Sequence, residues 1–152
     1  MSTFRKFSII CATTGAALLG MIATPAHAGQ CPAGQEGGNT LADRPTAPKG
    51  VSDKVIGSID LGPELGANGR DLRLRRLVIQ PGGVVPFHSH NGRPAIIITL
   101  KGEILEYASN CRAPIVHRAG ETVNETAEVA HYWVNRGKSV VELLSADVKG
   151  RE

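Results

Sequence analysis

The segment Gly82-Gly83-Val84-Val85-Pro86-Phe87-His88-Ser89-His90 sets two imidazoles at positions i and i+2. On an extended strand such side chains leave the same face about 6 to 7 Å apart, close enough to share one metal ion. His131 stands on a separate apolar run at residues 130–135 and could supply a third ligand from across a barrel. His117 sits before a turn at Ala119-Gly120 and reads as structural or exposed. If His131 points inward, Trp133 and Asn135 share its face, so both are candidates for the pocket wall, with core filling the plainer role for Trp133. Arg93, just past the His-x-His segment, could hold an anionic group or be a solvated loop cation. Glu106 and Tyr107 could each orient a ligand histidine through its second ring nitrogen. No Gly-x-Ser-x-Gly elbow and no phosphate loop occurs, so nucleophilic and nucleotide chemistry find no support.

Short runs rich in Val, Ile and Leu must carry these residues: 55–61, 72–79, 95–100, 104–107, 130–135 and 140–145, separated by turn signals. With 18 Gly, 9 Pro and 4% aromatics in 152 residues, this spacing predicts one all-β domain, a sandwich or barrel, and no helical bundle. Leu72 and Leu74 share one parity and Leu77 and Ile79 the other, which predicts a bulge near Arg75-Arg76. Pro81-Gly82-Gly83 should end that strand. In 95–100, an inward face at Ala95, Ile97 and Thr99 leaves Ile96, Ile98 and Leu100 as an outward apolar stripe. Either the segment 29–50 or a second subunit must cover it, and a homodimer is expected.

The formal charge is +3, from 17 Lys+Arg against 14 Asp+Glu, and Arg5 and Lys6 account for much of it, so no nucleic-acid footprint is present. Those two cations precede an uncharged stretch that closes on Ala26-His27-Ala28, and residues 1–28 read as a signal peptide. The expected product is a periplasmic or secreted protein without a stable membrane anchor. Residues 29–50, rich in Gly and Pro, read as an extended arm, with the compact domain at 51–152. In an oxidising compartment Cys31 and Cys111 could pair, tying the arm to a distant hairpin for ~3 to 5 kcal/mol by loop entropy, or stay as two free thiols.

The histidine pattern resembles the cupins, whose first motif runs G-x5-H-x-H-x(3,4)-E-x6-G and second G-x5-P-x-G-x2-H-x3-N. Gly82, His88, His90 and Gly102 fall on the first, and Gly120, His131 and Asn135 on the second, so the resemblance spans about residues 70–147. It implies an antiparallel jelly-roll barrel of six to eight strands with a metal near its centre, commonly dimeric. Ala95 occupies the position of the acidic ligand, with Pro94 beside it, and Thr126 and Glu128 replace the Pro and second Gly of the later motif. Glu128 could approach the metal, and its plainer reading is a solvated turn residue.

The expected site is therefore His88, His90 and His131 around a divalent transition metal (Fe, Zn, Mn, Ni or Cu), without a carboxylate. Neutral imidazoles would leave the ion's charge uncompensated and favour an anionic ligand. Three-histidine iron centres occur in some cupin-like dioxygenases, and the functional expectation is an oxygenase or isomerase acting on a small anionic organic substrate. The alternatives are a non-catalytic small-molecule or metal-binding module and a purely structural role for the histidines.

Overall fold

A computed structural model describes residues 30–151, so the expected signal peptide lies outside the described residues. Eight strands and one short helix follow in order: β1 (Lys49–Asp60), α1 (Leu61–Leu65), β2 (Arg70–Ser89), β3 (Ala95–Lys101), β4 (Glu103–Ala108), β5 (Ile115–Arg118), β6 (Thr122–Glu125), β7 (Ala130–Val134) and β8 (Val141–Gly150). All strand pairs are antiparallel, in the order β5-β4-β7-β2-β8-β3-β6 with β1 added to β2, and the sheet nearly closes into a jelly-roll barrel. Inside it, alternate positions from the strands pack Leu77, Ile79, Ile97, Ile104, Val123, Trp133, Val141 and Leu143 into one apolar core.

Two expectations about β2 are corrected. The strand does not end at Pro81-Gly82-Gly83 but bends there and runs on to Ser89. Gly82 takes φ 71°, and a Cβ on Gly83 would lie 2.7 Å from both the Ile79 side chain and the Gln80 carbonyl, so only glycine permits the bend. Nor is there a bulge at Arg75-Arg76, because β2 pairs with β8 without a break from Arg70 to Ile79. The irregularity sits on β1, between Val55 and Gly57. Leu72 and Leu74 simply face outward, while Arg73 and Arg75 take the inward positions next to Leu77 and Ile79. Arginines are tolerated there because Asp147 of β8, with a fully buried side chain, accepts hydrogen bonds from both.

The arm is pinned on one side of the barrel. Cys31 and Cys111 form a disulfide with a Cα–Cα distance of 5.5 Å, Glu36 bridges to Cys111, and the Phe87 amide donates to the Pro45 carbonyl. The arm therefore does not reach the outer face of β3. There the register aligns Ile59, Leu72 and Val148 in one row and Leu74, Ala146 and Ile96 in the next, across β1, β2, β8 and β3. Ile59, Leu72, Leu74 and Ile96 are all exposed, between 38% and 57% of their surface.

Candidate metal centre

Strand pairing delivers the histidines. His88 on β2 lies directly opposite His131 on β7, so both rings leave the sheet on the same face. His90 follows two residues on, just past the end of β2, where a turn closed by the Arg93 amide on the His90 carbonyl folds the chain back toward β3. The three ring centroids lie 4.7–5.2 Å apart.

A fourth group joins them that the sequence reading missed. Glu125, the last residue of β6, is buried with its carboxylate among the imidazoles, and ligating atoms of His88, His90, Glu125 and His131 all lie within 4.8 Å of one another. The expectation of a centre without a carboxylate is thus corrected. The cause is in the register: Ala95, which stands where the cupin motif carries its acid, pairs across the strands with Glu125. The carboxylate enters the site from the neighbouring strand. Glu128 is exposed and outside the cluster.

The donor atoms converge without satisfying one another. His88 Nδ1 donates to the Pro86 carbonyl at 2.8 Å and His90 Nδ1 to the Arg93 carbonyl at 2.9 Å. Carbonyls only accept, so in the neutral rings both Nε2 atoms are bare lone pairs, yet they face each other at 3.0 Å. His131 Nε2 lies 3.1 Å from Glu125 Oε2, and His90 Nε2 is in still closer contact with it. Even so, both Glu125 oxygens and His131 Nε2 are buried without a hydrogen-bond partner of acceptable geometry. Such orphaned polar atoms are costly. Ligands bonded at about 2.0–2.2 Å and roughly at right angles stand ~3 Å apart, so the spacing fits a bound transition metal.

Behind this shell lies a second carboxylate. Glu106 accepts from His131 Nδ1 through one oxygen and from His117 Nε2, at 2.8 Å, through the other. Of the two residues read as candidate orienters, the geometry thus selects Glu106. Tyr107 points away and stacks on Tyr132. His117 is buried, with its ring stacked on Trp133 at 4.4 Å.

The electrostatics follow from burial and these contacts. Burial pushes the His88 pKa down to about 4, only partly offset by its bond to Pro86, which keeps the ring neutral. Burial would raise Glu125, but its contacts with His131 and His90 outweigh it and hold the carboxyl at about 2. His131 is likewise opposed by burial but lifted to about 9 by Glu106 and Glu125. Two buried carboxylates thus face one imidazolium. A divalent ion replacing the His131 proton would leave the group neutral, so its charge is compensated, contrary to the expectation drawn from three bare histidines.

The remaining sequence candidates fall in different places. Trp133 is buried and does both jobs, packing in the core and walling a cavity of about 40 Å³ beneath His88 and His90. Arg93 and Arg75 line that same cavity, over a floor of Leu77, Ile97 and Leu143. Asn135 is no part of the pocket, because its side-chain amide is taken up by the carbonyls of Ile79, Gln80 and Ser139 and pins the β2 bend. A second cavity of about 200 Å³ opens above Glu125, His90 and His131 toward the arm, with Gln30 and Cys31 at its rim.

Comparison with known proteins agrees with this architecture. The cupin domain family matches residues 75–147. An auxin-binding protein of Prunus persica is 32% identical over 75 residues, 47% of this chain and 36% of that protein. A germin-like protein of Morus alba is 31% identical over 77 residues, 49% of this chain and 37% of that protein. The chain thus spans little more than a third of the length of these curated relatives. Among solved structures, an oxalate oxidase in complex with the substrate analogue glycolate superposes with a TM-score of 0.51 at 27% identity, covering 74% of this chain and 55% of that one. A predicted oxalate decarboxylase from Thermotoga maritima, at 20% identity and a TM-score of 0.53, shares the fold. The motif residues, the barrel and the family match over residues 75–147 agree, and the chain belongs to the cupin family.

Proposed function

We propose that this protein is an exported, metal-dependent cupin that acts on a small organic acid, with His88, His90, His131 and Glu125 as the metal ligands. The observation that carries the reading is the convergence of three imidazole nitrogens and a carboxylate whose buried oxygens have no hydrogen-bond partner. The bound metal would supply Lewis-acid or redox activation of a coordinated oxygen. The chain's own groups hold the site in place: the Pro86 and Arg93 carbonyls fix the tautomers of His88 and His90, and Glu106 fixes that of His131. A small acid accords with the glycolate bound by the related oxalate oxidase and with the arginines beneath the site. Export accords with the Cys31–Cys111 disulfide and with the sequence of residues 1–28.

Metal analysis of the purified protein tests the centre. About one transition-metal ion per chain is expected, with a large loss in His88→Ala, and equal metal in the two would end this reading. Oxygen uptake by the loaded protein with a panel of small carboxylates, thiols and enolisable acids then separates catalyst from binder. Silence across the panel, with metal present, assigns the protein to non-catalytic binding.

We also infer that a second copy covers the apolar rows of β1, β2, β8 and β3. The arm, the other segment able to do so, is fastened elsewhere by its disulfide. Light scattering should give a dimer, and Ile96→Glu, at a position 57% exposed, should shift it to monomer with unchanged circular dichroism. A parent protein that is monomeric at tens of micromolar overturns this.

A further inference from the structure

The cavity beneath His88 and His90 has the build of a carboxylate subsite. Beyond His88 and His90 its polar lining comes from Arg75, Arg93 and Ser145, and its apolar wall includes Trp133. Ser145 is 2% exposed, and its hydroxyl has no hydrogen-bond partner, which is costly for a buried donor unless something occupies the space in front of it. The two guanidiniums differ in how far they are used. Arg75 is held through Nε and Nη2 by Asp53 and through Nη1 by Asp147. Arg93 makes one side-chain hydrogen bond among the described residues, from Nη1 to Asp147 at 2.9 Å, so its Nε and Nη2 remain available. Asp147 is shared with Arg73 as well, which leaves positive charge in excess at this end of the cavity. The metal centre, by contrast, is already balanced by Glu125 and Glu106. Anion recognition therefore falls to the arginines and not to the metal charge.

We propose that Arg93, with Ser145 beside it, binds the carboxylate of a short organic acid whose other end lies at the His88–His90 edge of the metal centre. This rests on the function proposed above and adds the substrate's size and orientation. A volume of about 40 Å³ admits roughly three groups of water size, the three heavy atoms of one carboxylate, so the cavity takes the carboxylate itself and the one or two further carbons lie at the His88–His90 edge. Trp133 is the protein's one tryptophan, so its fluorescence reports directly on occupancy of this cavity.

The test is a fluorescence titration of the metal-loaded protein with acetate, glycolate, propionate, lactate and pentanoate, and with the uncharged glycolamide and propionamide. The two- and three-carbon acids are expected to bind at least tenfold more tightly than pentanoate and than the amides. Arg93→Gln should weaken acid binding ten- to a hundredfold at unchanged metal content, since the Arg93 contact to His90 is made by its backbone carbonyl. Ser145→Val, which fills the space before the hydroxyl, should weaken it at least tenfold and serves should Arg93→Gln fold poorly. Amides binding as well as acids, or acid binding indifferent to both substitutions with metal in place, overturns the subsite alone. A protein that takes up no metal overturns the reading beneath it, and titration of that metal-free protein still reports whether Arg93 selects acids over amides.

Discussion

Glu125→Ala should lose its metal, and restoring a carboxylate on the opposite strand, in Ala95→Glu/Glu125→Ala, should bring it back. Ala95 and Glu125 are directly paired, which sets their Cβ atoms about 4.5–5.5 Å apart on the same face. Removing the outer-shell support of a metal ligand costs ten- to a hundredfold in affinity, so removing the one charged ligand should cost ~100-fold or more. In the double variant the glutamate at 95 extends into the volume vacated at 125, and affinity should recover to within about tenfold of the parent. Ala95→Glu alone should not help, because it crowds a third carboxylate against Glu125 and Glu106 in a buried space. Metal stoichiometry and competition with a chelator measure all three. A folded Glu125→Ala protein with parental affinity removes Glu125 from the ligand set. A double variant no better than Glu125→Ala shows that the carboxylate has not been transposed between the strands.

The placement of Glu125 marks where the sequence stops being legible. His88 and His90 are readable because a spacing of two on a strand is a local rule, and His131 because the second cupin motif locates it. Glu125 is not, because its membership depends on which residue of β6 faces Ala95. β6 is only four residues long, Thr122–Glu125, with Val123 its one apolar side chain, too little to register as a strand. The available signal was the missing acid itself: a buried cation site lacking its carboxylate at one position invites a search of the cross-strand neighbours. The parity of β2 fails for a related reason. Charged residues are ordinarily read as outward, so inward arginines at 73 and 75 look like a slipped register until Asp147, more than 70 residues away, is seen to accept from them. An all-β sandwich or barrel and the outward stripe on β3 are readable from composition and strand spacing, and the barrel itself through the cupin resemblance, whereas partners brought together by closure of the sheet are not.

Asp147 carries the second large effect. Its side chain is fully buried and takes Arg73 through both oxygens, at 2.9 and 2.7 Å, with Arg75 and Arg93 added at 3.1 and 2.9 Å. Its neighbour on the other side in the sheet is Ala95, so one residue of β3 separates this arginine cluster from Glu125. Asp147→Asn keeps the shape and removes the charge, leaving three guanidiniums without their shared counter-ion. Breaking a buried pair costs ~3–5 kcal/mol, and because these arginines are 15–23% exposed and regain some water, the low end applies. In a domain of this size that lowers Tm by about 10 °C. The pH dependence has a fixed sign. Burial would raise the Asp147 pKa, but the arginines outweigh it and hold the carboxyl below its ordinary value. Its contribution is thus fully present above the unfolded aspartate pKa of about 4 and is lost as the pH falls through the lower folded value. The Tm gap between parent and Asp147→Asn should stay constant from pH 8 to about pH 5 and shrink below about pH 4. Glu106 and Glu125 titrate in both proteins and cancel from the difference. A gap that is absent at pH 7, or undiminished at pH 2, removes Asp147 as the anchor of the arginines that face the cavity.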